Sequence, residues 1–221
     1  MRVAGVDGAR GGWIAVVLDG QRRDVCALST IDGLAALGAV RALIDMPIGL
    51  PAGGRRACDI AARALLGRAR SRIFLDARRP LLDYRARGDY AGANLWAKSE
   101  GHGVSRQLWN ILAKIAELDR FITPALQDTV LEAHPELAFL RMNGGAPLPN
   151  KKTPAGRALR LRLVRAAGIV EIDEWLAHRP RGVAPDDLLD ACALALAAPD
   201  ARRVSCEPAS DARGLRMEIW Y

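Results

Sequence analysis

Five carboxylates carry most of the chemistry this sequence can offer. Asp7 follows the apolar run Val3–Val6, and Asp45 ends the short apolar stretch that begins at Arg41. Glu132 lies in Thr129–Ala133, and Asp187 and Asp190 stand three apart near the start of the last apolar segment. Carboxylate oxygens are hard ligands that suit Mg²⁺ or Mn²⁺. Such ions can activate a water and steady the leaving oxygen when a phosphodiester is cleaved. Crowded, ionised acids repel one another, so a cluster of them argues for a cation. Each acid also has a plain structural use. Asp7 before Gly8 and Asp45 before Met46-Pro47 can shape turns, and Asp186 or Asp187 can cap a helix. Asp190, set among Leu188, Leu189, Ala191 and Leu194, is the hardest to explain in that way. Glu132 and His134 stand between a site role and structural hydrogen bonding.

Basic groups follow the same logic. Arg10 comes just after the first acid and can reach a phosphate beside it, with Gly11 and Gly12 leaving the backbone open to close approach. Arg55, Arg56, Arg63, Arg68, Arg70 and Arg72 crowd one segment; facing the acids, they would hold nucleic acid by its backbone. Lys151 and Lys152 precede a helix start, a ready anion site. Solvated surface arginines and lysines are the plain alternative for all of these.

These groups serve one site only if the chain folds them together. Val3–Val6 reads as a first strand, linked tightly through Gly8, Gly11 and Gly12 to a second at Trp13–Leu18. Asp19-Gly20 is a hairpin signal, with a third strand near Arg23–Leu28. Short turns of this kind make an antiparallel meander. Ser29–Asp32 looks like a helix start, with its stop near Gly38. Arg41–Asp45 is then a fourth strand which, reached through a helix, lies parallel to a meander strand. Asp7 and Asp45 would emerge together at the carboxyl edge, where open α/β sheets bind ligands.

Residues 53–121 read as a largely helical insertion, with helices at Arg56–Leu66 and Ser105–Phe121 and loop signals at Arg78-Arg79-Pro80 and Gly101–Gly103. Thr129–Ala133 is a candidate strand, on which Glu132 and His134 would share a face. Asn143–Asn150 is a loop. Thr153-Pro154 starts a basic helix that runs to about Ala167. Ile172–Ala177 is a short helix or strand. Pro185-Asp186-Asp187 opens a strong helix through Ala197 that carries Asp187 and Asp190 on one face. Met217–Tyr221 is a possible added strand. The whole is an α/β pattern with a mixed sheet, a single domain over residues 1–221.

Composition narrows the classes. Half of the 221 residues are hydrophobic, enough for a sizeable core. No run of 18 apolar residues suggests a membrane span, and the opening residues lack a signal peptide's apolar region. A cytoplasmic location is the expectation. Cys26, Cys58, Cys192 and Cys206 form no Cys-x-x-Cys pair, so reduced structural thiols are expected rather than zinc ligands or disulfides. Of 32 Lys/Arg and 25 Asp/Glu, residues 51–120 hold 14 and 7, leaving 18 of each elsewhere. The net charge of +7 therefore belongs to one internal segment, a surface that would attract phosphate. Trp96 and Trp109 within it are expected to pack in the core rather than to stack on bases.

The ordered motifs G-V-D-G-A-R-G-G-W (Gly5–Trp13), I-D-M-P-I-G-L-P (Ile44–Pro51), R-x-C-D (Arg56–Asp59), S-x-Q (Ser105–Gln107), E-A-H-P-E (Glu132–Glu136), K-K-T (Lys151–Thr153) and D-D-L-L-D-A (Asp186–Ala191) span almost the whole chain. As a set they resemble a family of predicted RNase H-like nucleases catalogued as a domain of unknown function. The resemblance implies an RNase H-like core: a five-stranded mixed sheet, three antiparallel strands and then two parallel ones, flanked by helices. It also implies an acid at the first strand (Asp7), another at the fourth (Asp45) and a last on the final helix, where the Asp190-Ala191 step is similar to that of Holliday-junction resolvases. Two departures stand out. Asp45 takes a place where resolvases commonly use Glu, and the insertion has no counterpart in minimal RNase H domains.

The leading expectation is therefore a metal-dependent phosphodiesterase acting on DNA, RNA or a nucleotide. Asp7, Asp45 and Asp190 would bind one or two Mg²⁺ or Mn²⁺, with Asp187 or Glu132 assisting. Arg10, Arg56, His134, Lys151 and Lys152 would bind the substrate. An actin-like nucleotide-binding ATPase or kinase is one alternative, although that class usually duplicates its fold and no second Asp-Gly hairpin appears late in this chain. A non-catalytic nucleic-acid or protein-binding module on the same scaffold is the other. Oligomeric state is open.

Overall fold

The computed structural model describes residues 1–73 and 75–221. Five strands, β1 (Arg2–Ala9), β2 (Gly12–Asp19), β3 (Arg22–Leu28), β4 (Arg41–Ile44) and β5 (Val130–Glu132), form one sheet in the order β3-β2-β1-β4-β5. The β1–β2 and β2–β3 pairs are antiparallel; β1–β4 and β4–β5 are parallel. This is the mixed sheet that the resemblance implies. Asp7 lies inside β1, not after it, because the strand runs three residues past Val6.

Strand periodicity sorts side chains onto two faces. On one face Val3, Ile14, Val16, Leu43 and Leu131 pack against the last helix, α8 (Pro185–Ala197). On the other, Ala4, Val6, Ala15, Val17, Ile44 and Val130 share a core with Leu81, Ala93, Leu108, Leu112 and Ile115. The segment read as an insertion therefore supplies the second helical layer of the sheet. Glu117 fastens it there, accepting from Trp13 Nε1 at 2.9 Å and from Ile31 N at 2.7 Å.

That segment holds more helix than the sequence suggests: α1 (Ala57–Leu66), α2 (Pro80–Ala86), α3 (Tyr90–Ser99) and α4 (Arg106–Phe121). Pro80, read as a loop signal, instead occupies the first turn of α2, where a missing N–H costs nothing. The expected helix before Gly38 is 3₁₀, over Ile31–Leu37. Its buried residues, Ile31, Leu34 and Leu37, recur every three positions, matching three residues per turn. Beyond the sheet come α5 (Pro135–Met142), α6 (Pro154–Ala166) and α7 (Ile172–Ala177). Met217–Tyr221 makes no strand. It meets β5's end through a single bridge, Ala133 to Trp220, and Trp220 also bridges Arg203. Among the described residues, no helix is long and apolar enough to cross a membrane.

Gly5 lets α8 press directly onto β1. A Cβ there would lie 2.1 Å from both Ala191 O and Ala195 N. Nothing larger than hydrogen fits, so this contact fixes the height of α8 against the strand.

Candidate metal centre

That contact brings the acids together. Asp7 is two residues beyond Gly5 on the same strand face, and Asp190 immediately precedes Ala191 on α8. Asp45 follows the last β1–β4 pair, Val6 with Ile44, one step later, and Asp45 N donates to Val6 O at 2.9 Å. One oxygen from each of Asp7, Asp45 and Asp190 falls within 4.8 Å of the other two. Asp190 is 2% exposed; its Oδ2 accepts from Lys151 Nζ at 2.5 Å, while its Oδ1 is buried with no partner. Asp7 Oδ1 accepts from Gly8 N at 2.6 Å.

The electrostatics are those of a crowded anionic site. Burial, and then repulsion from Asp45, Asp190 and Asp187, lifts Asp7 well above the ordinary carboxylate range, against the pull of Lys151. Burial raises Asp45 to about 7 and Asp190 to about 6, with Lys151 opposing in both. Desolvation works against the Lys151 ammonium, but Asp190, Asp45 and Asp7 outweigh it and hold its proton more firmly than usual. An orphaned buried oxygen and three carboxylates forced toward their neutral forms make a donor set that a hard cation would fit.

The trio lines a cavity of about 530 Å³ that also receives Arg72, Gln107, Lys114, His134, Lys152 and Asp187. This volume falls in the range of small-molecule sites, about 300–1,000 Å³. Met46, Pro47, Ile73, Ile111 and Ile219 supply apolar wall.

The remaining expected site residues divide. Lys151 and Lys152 are at the site, the latter paired with Asp186 at 2.9 Å. Asp187 lines the cavity but also closes the N-terminus of α8, where its Oδ2 accepts from Ala184 N at 2.8 Å. Arg56 and Glu132 are drawn into a buried network. Arg56 Nη1 and Nη2 donate to Glu132 at 2.7 and 2.5 Å, and Arg56 Nε and Nη2 donate to Asp59 at 2.9 and 2.5 Å. Glu132 takes a further bond from Ile48 N at 2.7 Å. The reason is parity: Leu131 faces α8, so Glu132 faces the opposite side of the sheet, toward α1. Arg56 is 2% exposed and holds no free donor edge for a phosphate. His134 is off the strand. It caps α5, with Nδ1 accepting from Glu136 N at 3.2 Å, and burial lowers its pKa. Arg10 is exposed and outside the cavity lining.

Two contributors escaped the sequence reading. Lys114 lies 4.5 Å from the Trp13 ring centroid and close over Gly8, where a Cβ would be 2.8 Å from its Cδ. Burial lowers its pKa, opposed by Glu117, Asp7 and Asp187. The spacing Gln107, Ile111, Lys114 is one face of α4 and is the signal that could have found it. Glu136 is 4% exposed, lines the cavity and ties Arg72 (2.6 Å) and Arg160 (2.7 Å).

Fold and centre together define an α/β protein whose parallel-strand edge carries a recessed carboxylate cluster able to hold a metal ion. The chain belongs to the DUF429 family, described as a protein of unknown function, whose model matches residues 5–213. No curated protein and no solved structure matches it.

Proposed function

We propose that this protein is a metal-dependent phosphodiesterase of RNase H-like type, acting on nucleic acid or a nucleotide. The observation that carries the reading is the convergence of Asp7, Asp45 and Asp190, with Asp190 Oδ1 buried and unpartnered. These three residues would hold Mg²⁺ or Mn²⁺. When bound, such an ion supplies Lewis-acid polarisation of a phosphoryl oxygen and a more acidic water. The chain's own groups do the rest. Lys114 and Lys151 present ammonium groups beside the acids, suited to non-bridging phosphate oxygens as negative charge develops. Gln107 adds a neutral donor, and the apolar wall keeps bulk water from the recessed acids. Asp187, fixed by its cap, holds the N-terminal turn of α8 and so the placing of Asp190 one turn later.

The test is purified full-length protein with Mn²⁺ and end-labelled single-stranded and duplex DNA and RNA, alongside Asp7→Asn and Asp190→Asn. Cleavage should require the ion and vanish in both variants. Cleavage that survives either substitution sinks the proposal. Salt-sensitive binding without cleavage, indifferent to EDTA, would favour a non-catalytic module.

A further inference from the structure

We infer that the cleft holds one divalent ion rather than two, because the Lys151 ammonium takes the place of the second. The inference rests on the carboxylate centre proposed above. Most carboxylate oxygens around the cleft are already committed. Both oxygens of Glu132 accept from Arg56, and both of Asp59 do the same. Both oxygens of Glu136 accept from Arg160, and one also from Arg72. Asp187 Oδ2 is spent on Ala184 N, and Asp7 Oδ1 on Gly8 N. Of the oxygens left uncommitted, which include Asp187 Oδ1, one each from Asp7, Asp45 and Asp190 lie within 4.8 Å of one another. Mg²⁺ keeps several waters and is bound through few carboxylates, so these three oxygens suffice for one ion. Two ions stand about 3.5–4 Å apart and must share ligands from both sides. A second ion against Asp190 would have to displace Lys151, whose Nζ holds Asp190 Oδ2 at 2.5 Å.

Charge leads to the same count. The trio carries −3 and Lys151 +1, so one divalent ion neutralises the group. A second would leave an excess of +2 in a recessed site, where unbalanced charge is costly. Nor is Lys151 a loosely held surface side chain. The loop before α6 is clamped by Thr153 Oγ1 donating to Asn150 O at 2.7 Å and Arg160 Nη1 donating to Pro149 O at 3.0 Å. Gly156 packs so closely that a Cβ would lie 2.1 Å from Asn150 O. The ammonium is therefore set in place by backbone anchored on both sides of it.

Mn²⁺ binding to the full chain, stripped with EDTA, tests this by calorimetry and electron paramagnetic resonance. Wild type should take one ion per chain and give the spectrum of an isolated Mn²⁺. Lys151→Arg should also take one. Lys151→Met should take two, with a spin-coupled spectrum; Lys151→Gln serves should the Met variant fail to melt cooperatively. Two ions in wild type, or one in both neutral variants, would overturn the inference and leave the metal centre standing. No ion in wild type would remove the centre itself. One ion without any cleavage would remove the enzyme reading and leave the count intact.

Discussion

Replacing Arg56 with Met keeps much of the aliphatic volume and deletes the cation that two buried carboxylates depend on. Asp59 and Glu132 are 1% and 5% exposed as side chains. Burial alone would loosen the proton on Arg56, but the two acids more than reverse this and keep the guanidinium charged. Without it, both acids stay in a desolvated pocket with no counter-ion, and Ile48 O loses a donor at 3.0 Å. Removing one partner of a buried ion pair costs about 3–5 kcal/mol. For a chain of this size each kcal/mol lowers the melting temperature by roughly 2–4 °C, so a fall of about 6–20 °C is expected. Urea denaturation at pH 7, followed by circular dichroism, measures the first figure and a thermal scan the second. The triple variant Arg56→Met/Asp59→Asn/Glu132→Gln should recover most of the loss, because neither acid then carries charge. A loss under about 1 kcal/mol in Arg56→Met would refute the structural role and return Arg56 to the candidate substrate ligands.

Three further outcomes follow from the same geometry. Asp7, Asp45 and Asp190 bind protons more tightly folded than unfolded, so the metal-free protein should lose stability as pH rises from the ordinary 3.8 toward about 7. Asp45→Asn should flatten that slope in urea melts, and Mn²⁺ affinity of the wild type, read by calorimetry, should rise across the same interval as protons leave the ligands; a slope unchanged in the variant counts against the burial-raised pKa of Asp45. Gly5→Ala forces a methyl against two backbone atoms at 2.1 Å and should cost about 1–3 kcal/mol or more, with weaker Mn²⁺ binding because Asp190 moves with α8. Arg87 and Arg106 are exposed and lie 4.9 and 3.8 Å from the rings of Tyr84 and Tyr90. If the protein binds single-stranded nucleic acid as proposed, their double reversal to Glu should weaken that binding and lower its salt slope by about 1.4, read by fluorescence anisotropy, without changing the metal count.

The strands and the acids Asp7 and Asp45 were legible because both are local signals: apolar runs of strand length, each with an acid at or near its end. The final helix declared itself through Pro185 and the acids of its first turn. The Arg56–Asp59–Glu132 network was not legible, since it joins residues 76 apart that no local pattern connects. Glu132 carried one usable clue. If Leu131 faces the core that β1 shares with α8, then Glu132 must leave the opposite face of the sheet from Asp7, although both line the cavity. α3 was hidden by Gly92 and by a weak apolar periodicity over Tyr90–Ser99, and tertiary packing overrides that propensity.

The arginine-rich stretch shows why charge counted along a sequence locates a surface poorly. Arg55 to Arg72 looked like the phosphate-binding face, yet Arg56 is buried, Arg55 pairs with Asp76 at 3.3 Å, Arg63 donates to Ile73 O at 3.0 Å and Arg72 is paired with Glu136. Much of that charge holds the layer together. The guanidinium groups at Arg85, Arg87 and Arg106 instead lie over aromatic rings of α2, α3 and α4. On α4, Arg106 and Asn110 are exposed and border the face that carries Gln107, Ile111 and Lys114 into the cavity. An incoming polyanion would thus meet the exposed edge of α4 first and the carboxylate centre second. Attraction there would offset the repulsion that a phosphate would feel from three acids, a repulsion that Lys114, Lys151 and the proposed cation would relieve at close range.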